Sequence, residues 1–373
     1  MTFTFQQDRK APRPGTSRVV LRSQVPSVNE VFAGFPCTDV SNLNVHRRSN
    51  ANSATISDGS LSTGACFHSI LRYCDGHDVD LLILENVRGL RRQLRTCKKL
   101  LAAKGYVSCV FLISPIVFGV PQSRPRFWFA CARKRLIKNE AAFVRECEDA
   151  MQRFAGHSLT PLDSYLLSDS DPLVRCVLDR SDRSDRPDHR RPCGSSSSMP
   201  LWVSRHIAMC ELRGRSWSCV ADCVCGDMLR LFPGLGALVP REIDGLGTLG
   251  ISCPDTRPDC PLVVDVSQGF DRANIGNLSG SRASEEDSLQ IRSAISPCVT
   301  PRSRLYHTRR GRLLVGYELL RLQGIVFSDQ ELDRRLRTVT NELCHDLAGN
   351  AFNTQTCLAV YLALIIAVDQ HVG

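Results

Sequence analysis

One cysteine stands where a nucleophile could act, at the end of a predicted strand. Val31–Pro36 is a short apolar stretch that predicts a strand running into a tight turn, and Cys37 follows it directly. Loops after strands carry the chemistry of many α/β proteins, and Pro36 fixes the backbone from which the thiol projects. Cys37 is therefore a candidate nucleophile. The alternative is a buried thiol without a chemical role, since the chain has 18 cysteines.

A carboxyl group and an amide follow the next predicted strand. Val79–Leu84 is a nearly continuous apolar run, which is typical of a strand buried on both faces, as in a parallel sheet. Glu85 and Asn86 come directly after it. A carboxyl group at this position can donate or accept a proton in a reaction. The alternative for Glu85 is a helix cap or one member of an ion pair.

Two arginines introduce a third predicted strand, Arg126–Ala132. Arg124 and Arg126 are separated by Pro125 in an extended segment that also contains Gln122, so we expect both guanidinium groups on the same side. Planar guanidinium groups suit a carbonyl oxygen or a phosphate. The alternative is a solvated basic turn.

The segments between these groups predict the elements that position them. Gly64–Cys74 and Arg92–Lys104 have apolar residues at helical spacing, and Val107–Ser114 is a further strand-like run. Strands that alternate with helices are typical of a doubly wound α/β sheet. Helical periodicity returns at Leu313–Leu322 and Asn341–Val368.

Composition divides the chain further. We predict a polar lead-in at residues 1–30, one α/β domain formed by 31–135 together with 314–373, and a smaller irregular domain at 136–313. A mixed-charge segment rich in Ser and Pro predicts a mobile loop at 175–198. The apolar run Cys357–Val368 is shorter than the ~20 residues that a bilayer requires, so we expect a core helix there.

Overall composition excludes wholesale disorder and fibrous repeats, because 43% of the residues are hydrophobic and 23% are charged. The net charge of +9 is compatible with a polyanionic partner. The first 30 residues show no secretory signal and the cysteines have no regular spacing, so we expect a reducing, intracellular location. The spacing of Cys219, Cys223 and Cys225 fits no common zinc site, and we expect no metal.

The order of these groups resembles the DNA (cytosine-5) methyltransferase family. Pro-Cys, Glu-Asn-Val and Gln-x-Arg-x-Arg, each at a strand end, are similar to its motifs IV, VI and VIII. Glu318–Gly324 resembles motif IX and Ala348–Phe352 resembles motif X. Between motifs VIII and IX this family has a variable target-recognition domain, which is where the irregular middle of this chain falls.

The resemblance implies a Rossmann-like methyltransferase fold and a role for each matched residue. Cys37 would add to C6 of a flipped cytosine, Glu85 would bind or protonate N3, and Arg126, helped by Arg124, would bind the O2 carbonyl. The other matched residues are expected to bind the nucleic acid or support the turn (Pro36, Ser41, Asn86, Gln122), or to bind the methyl donor S-adenosylmethionine (Phe35, Asn350, Ala351).

The sequence departs from the family at several positions, of which two bear most on activity. The family has a Gly-rich donor-binding loop some tens of residues before Pro-Cys, and the 36 residues before Cys37 contain none, so we expect the first donor-binding strand and helix to be missing and activity to be impaired. Thr38 replaces the family's usual Gln and is expected to weaken contacts with the base or phosphate.

The expected partner is double-stranded DNA, with no membrane and no obligate protein partner, in the nucleus if the source is eukaryotic. Seventeen of the 47 positive residues lie in three short stretches without acids, at 88–104, 124–135 and 301–313, which favours this partner. Two alternatives stay open. One is an inactive nucleic-acid-binding or regulatory homologue, and the other is a tRNA cytosine-5 methyltransferase, against which the long middle region argues.

Overall fold

The computed structural model describes most of the chain outside its N-terminus and its middle. Described residues are 27–41, 55–59, 61–182, 203–204, 207–208, 211, 234, 237–239, 241–244, 263–267, 295–326 and 330–372. The strands are β1 (Glu30–Gly34), β2 (Leu81–Val87), β3 (Tyr106–Ile113), β4 (Arg126–Arg133), β5 (Val263–Asp265), β6 (Leu305–His307) and β7 (Arg312–Leu313). The helices are α1 (Thr55–Asp58), α2 (Ser62–Gly76), α3 (Leu94–Ala103), α4 (Glu140–Phe154), α5 (Pro172–Asp182), α6 (Gly316–Leu322), α7 (Gln330–Arg337), α8 (Asn341–Asn350) and α9 (Thr354–Val372).

The chain divides into two compact units. The first takes its residues from Met1–Phe118, Pro125–His157 and Gln355–Gly373, and the second from Gly119–Arg124 and Ser158–Thr354. This grouping assigns α4 to the unit that contains β1–β4, and α6–α8 to the other unit. The functional division into catalytic and target-recognition domains stays a prediction.

The first unit is built on a mixed sheet with the strand order β1-β2-β4-β3. β1 runs parallel to β2, whereas β4 runs antiparallel to both β2 and β3. The α/β class predicted from the sequence is confirmed, but β2 has one parallel and one antiparallel neighbour. The reason is the connection from β3 to β4, which contains only a 3-10 turn and no crossover helix, so β4 reverses direction beside β3.

Apolar side chains on both faces of the sheet explain the continuous apolar run of β2. Leu82 and Leu84 lie in the core with Phe67 of α2 and Leu101 of α3. On the opposite face Cys109 of β3 lies 4.0 Å from a carbonyl of α4. Every residue of Leu81–Leu84 is therefore buried, as the sequence predicts.

The start and end of the helix that follows β2 differ from those that the apolar periodicity predicts. The predicted helix Arg92–Lys104 begins as a 3-10 helix, Arg88–Gln93, which continues into α3. Gly105 follows α3 with a φ of +75°, the left-handed conformation that glycine adopts readily at a helix end. Periodicity therefore located the apolar face of this helix but not its 3-10 entry.

The second unit contains a small antiparallel sheet, β5-β6-β7, and the helices that follow it. Arg312 of β7 and Glu318 of α6 form a buried ion pair whose Nη2–Oε1 distance is 2.9 Å. α5 extends to Asp182, so the first residues of the predicted mobile loop are helical, and 183–198 lie outside the described residues. Cys219, Cys223 and Cys225 also lie outside them.

The C-terminal helices α8 and α9 form the apolar stretch Asn341–Val372, which by length and composition alone could cross a membrane. Core helices of globular domains pass the same test. α9 buries one face, including Val360 and Ala363, and the ring of Tyr361 lies 5.2 Å from that of Phe32 on β1. These contacts support the prediction of a core helix.

Candidate active site

Three chemically important segments meet one edge of the mixed sheet. β1 and β2 are parallel, so both end at this edge, and β4 is antiparallel, so it begins there. The register pairs Gly34 with Glu85 and Val87 with Arg126. Glu85 and Arg126 therefore lie on the same face as diagonal neighbours, and Cys37 follows three residues after Gly34.

Backbone hydrogen bonds fold the residues after β1 into a compact segment, Pro36–Ser41, which we call the Pro-Cys turn. The carbonyl of Cys37 accepts hydrogen bonds from the backbone N–H groups of Val40, at 3.1 Å, and Ser41, at 2.8 Å. The Cys37 side chain is half-buried. The turn thus holds its cysteine at the sheet edge without removing it from solvent.

Asn86 ties the Pro-Cys turn to β2. Its side-chain Nδ2 donates a hydrogen bond of 2.9 Å to the carbonyl of Phe35, and its Oδ1 accepts one from the backbone N–H of Val87. Asn86 is only 1% exposed, so water does not compete for these bonds. This position agrees with the role of holding the turn that the sequence predicts for Asn86.

Asp39 ties the same turn to the beginning of α2. Its Oδ2 accepts hydrogen bonds from the backbone N–H of Thr63, at 2.8 Å, and from the hydroxyl of Ser62, at 3.0 Å. An acidic group here satisfies a helix N-terminus and interacts favourably with the helix dipole. The hydroxyl of Thr38 lies 2.7 Å from that of Ser62, so the residue that departs from the family also holds the turn.

Gly89 brings the 3-10 helix directly against the Pro-Cys turn. A Cβ atom at Gly89 would lie 1.9 Å from the carbonyl oxygen of Val40, a distance that no real contact has. Only glycine allows the two backbones to approach this closely. The segment after β2 therefore supports the turn through its backbone.

Glu85 and Arg126 form an ion pair at the sheet edge. Arg126 Nε lies 2.9 Å from Glu85 Oε1, and the two side chains are 14% and 11% exposed. Arg126 also donates to the carbonyl of Pro125 at 3.0 Å. Burial raises the pKa of the nearby Cys357 thiol to about 12, with the negative charge of Glu85 as a second cause. The edge is thus a largely desolvated place where a carboxyl and a guanidinium group act together.

Arg124 has different partners from Arg126. It belongs to the second unit, where its Nη1 donates to the carbonyl of Val299 at 2.6 Å and its Nη2 donates to those of Gly349, at 3.3 Å, and Ala351, at 3.0 Å. Arg124 is 6% exposed. The guanidinium group therefore stabilises the end of α8, and its help at the base stays a prediction.

Gln122 also lies in the second unit, in a short parallel bridge with Ser296. The bridge is flanked by bonds of 2.8 Å from Ser123 N–H to the Ser296 carbonyl and from Ser296 N–H to the Pro121 carbonyl. Gln122 is fully buried. Its predicted contact with substrate, like those of Pro36 and Ser41, stays a prediction.

The three residues expected to bind the methyl donor are largely engaged with the protein itself. The ring of Phe35 is 3% exposed and lies 5.3 Å from the ring of Phe67. The Ala351 carbonyl accepts the bond from Arg124, and Asn350 is exposed but donates to the carbonyl of Asp346. Their predicted contacts with S-adenosylmethionine stay a prediction.

Sequence reasoning missed three residues that position the turn. Asp39 and Ser62 lie 23 positions apart, and only the Ser-Thr pair at the start of the predicted helix hinted at a capped end. Gly89 carried a clearer signal, because an isolated glycine after a strand often marks close backbone approach.

Comparison with known proteins finds similarity in the N-terminal part of the chain. Residues 3–171 match the family model described as C-5 cytosine-specific DNA methylase. A curated relative, "DNA (cytosine-5-)-methyltransferase DMT5" from Verticillium dahliae, is 37% identical over 83 residues, which is 22% of this chain. The matched stretch spans only 3% of that relative's length.

Solved structures with similar folds are more distant. S. pombe Dnmt2 methyltransferase has a TM-score of 0.42 and 14% identity, covering 93% of this chain and 82% of that one. Entamoeba histolytica methyltransferase EhMeth has a TM-score of 0.39 and 13% identity, with coverages of 90% and 77%.

The family model covers the segment that contains the Pro-Cys turn and the Glu85–Arg126 ion pair, and proteins of this family take their methyl group from S-adenosylmethionine. Residues 3–171 of this chain therefore resemble the C-5 cytosine-specific DNA methylase family.

Proposed function

We propose that this chain acts on cytosine in double-stranded DNA by forming a covalent bond between Cys37 and C6 of a flipped base. The observation that carries the proposal is the arrangement at the sheet edge. Asn86 holds the Pro-Cys turn through the Phe35 carbonyl, and the neighbouring Glu85 forms an ion pair with Arg126. The match of residues 3–171 to the family model supports this assignment of roles.

The residues at the edge have complementary tasks in this reaction. The Cys37 thiolate donates an electron pair to C6, and the electrons of the C5–C6 bond move toward C5 and the N3–O2 side of the ring. Glu85 supplies a proton or a hydrogen bond to N3, and the Arg126 guanidinium group stabilises negative charge at O2. A base inside a duplex is out of reach, so the cytosine must leave the helix first.

The methyl group that completes the reaction comes, in this family, from S-adenosylmethionine. The packing of Phe35 and the bond from Arg124 to Ala351 favour a second candidate, a homologue that binds nucleic acid but holds the donor weakly. Activity would then be impaired although the base-binding edge is intact.

Two measurements test the proposal and separate the candidates. Incubation of the chain with donor and either duplex DNA or tRNA, followed by mass spectrometry of nucleosides, is expected to yield 5-methyldeoxycytidine from the DNA. 5-Methylcytidine from tRNA alone would contradict the choice of substrate. Absence of product together with no calorimetric binding of S-adenosylmethionine at millimolar concentration would favour the inactive homologue.

A further inference from the structure

A positively charged surface follows Glu85 and Asn86 along the 3-10 helix and α3. Its members are all exposed and all basic, and we call them the basic face: Arg88, Arg91, Arg92, Arg95, Lys98 and Lys99. Arg91, Arg95 and Lys98 recur at intervals of four and three residues, so they share one side of the helix. On the other side, Leu90, Cys97 and Leu101 are fully buried.

The basic face gathers six cations that have no acidic partner within the described part of the chain. None of its six residues forms an ion pair with another described residue. Some exposed cations elsewhere are neutralised. Lys104, at the end of α3, pairs with Asp75 at 2.8 Å, and on α7 Arg334 and Arg335 both pair with Glu331. Six cations without counter-charges among the described residues repel one another, so an external polyanion would stabilise this surface.

The basic face also begins at the Pro-Cys turn. Arg88 precedes Gly89, whose backbone lies against the Val40 carbonyl. From Arg88 to Lys99 the segment extends for about 18 Å, at about 1.5 Å per residue. That length matches about five phosphates of one DNA strand, which are spaced about 3.4 Å apart. A strand that delivers a base to Cys37 can therefore continue along this face.

We propose that the basic face binds the phosphate backbone of duplex DNA beside the base that enters the Pro-Cys turn. The proposal rests on the function proposed above and adds the surface that positions the duplex. It concerns phosphates and not base edges, so it predicts affinity and salt dependence without sequence preference.

The test is a salt titration of DNA affinity. The triple variant Arg91→Gln, Arg95→Gln, Lys98→Gln removes three of the charges, and the control Arg334→Gln, Arg335→Gln removes two exposed charges that are paired with Glu331. Affinity of the full chain for a fluorescent 25-base-pair duplex is measured between about 50 and 200 mM salt. Each lost phosphate contact reduces the slope of log K against log salt by about 0.9.

We expect the slope of the triple variant to fall by about 2 to 3, with at least a tenfold loss of affinity at the lowest salt, and the control to keep the wild-type slope. An unchanged slope in the triple variant would overturn the proposal, as would an equal fall in the control. A loss of affinity for an acidic peptide without a loss for DNA would also overturn it, by assigning the surface to a protein.

Binding and chemistry can fail separately. Cys37→Ser is expected to bind DNA with the wild-type salt slope, because the thiol is not part of the basic face. If the wild-type chain forms no covalent adduct yet the triple variant loses slope, the proposed function fails and the basic face stands. If the wild-type chain forms adducts and the triple variant keeps the wild-type slope, the proposed function stands and the proposal for the basic face fails.

Discussion

The side-chain amide of Asn86 donates a hydrogen bond of 2.9 Å to the carbonyl of Phe35, two residues before Cys37. One buried amide thus connects the end of β2 to the segment that carries the nucleophile. Because the bond crosses between strands, the position of the thiol depends on the sheet and not on the turn alone.

Removal of this amide is expected to make the position of the Cys37 thiol less well fixed. Asn86→Ala leaves the Phe35 carbonyl without its partner and should lower the free energy of unfolding by about 1–3 kcal/mol. Formation of the DNA adduct should slow more than DNA binding weakens, since only the turn is disturbed. Chemical denaturation and adduct kinetics measure the two effects. An equal fold loss in the rate of adduct formation and in DNA affinity would contradict a positioning role for Asn86.

The carboxylate of Asp39, which accepts hydrogen bonds at the start of α2, is expected to matter more than the exposed carboxylate of Asp75 near the end of that helix. Asp39→Ala removes the acceptor for Thr63 N–H and the Ser62 hydroxyl and should cost about 0.5–2 kcal/mol, together with slower adduct formation. Asp75→Ala, which breaks the exposed pair with Lys104, should cost at most about 1 kcal/mol and leave the adduct rate unchanged. Denaturant melts of both variants make the comparison.

Gly89 is expected to tolerate no side chain. In Gly89→Ala the new methyl group meets the Val40 carbonyl, so one backbone must shift, at a cost of about 1–3 kcal/mol, and the Pro-Cys turn moves with it. The neighbouring exposed change Arg88→Ala should alter stability by no more than about 0.5 kcal/mol. Thermal unfolding of the pair measures this difference, and equal midpoints would contradict the close contact.

His307 predicts a pH dependence of the second unit's stability. Burial lowers the pKa of His307 from 6.5 to about 4, and its Nδ1 accepts the backbone N–H of Arg310, a bond that protonation would break. Between about pH 6.5 and 4 this histidine is therefore protonated in the unfolded chain but neutral in the folded chain. The free energy of unfolding falls as the pH drops through this range. The full effect is up to about 3 kcal/mol.

Comparison of wild type with His307→Gln isolates this contribution. The variant should lose less stability than wild type between pH 7 and pH 5, as measured by urea unfolding. His157→Gln, a change at an exposed histidine, should behave like wild type. Parallel curves for all three proteins would rule out the proposed titration.

The sequence predicted what depends on neighbouring residues and missed what depends on distant ones. Apolar runs located β1, β2, β3 and β4 to within a few residues, because burial leaves a continuous signal. The direction of β4 depends on which strand it pairs with, and no local pattern records that choice. The mixed sheet was therefore visible only in the fold.

The two arginines show the same limit at single residues. Their spacing placed both on one side of an extended chain, and Arg126 does meet Glu85 across the sheet. Arg124 instead bonds to carbonyls 175 to 227 residues away in the chain. A guanidinium group that binds backbone carbonyls needs no particular side chain as its partner, so the sequence around Arg124 held no sign of this role.

The most direct test of the account is whether Cys37 bonds to cytosine. Duplex DNA that carries 5-fluorocytosine should give, with donor present, an adduct that survives denaturing electrophoresis, and peptide mapping should locate the bond at Cys37. Fluorine replaces the C5 proton that must be removed before the cysteine can leave, so the covalent intermediate accumulates. Cys37→Ser should abolish the adduct, whereas Cys66→Ser, at another half-buried thiol, should not. An adduct that persists in Cys37→Ser would contradict the central claim.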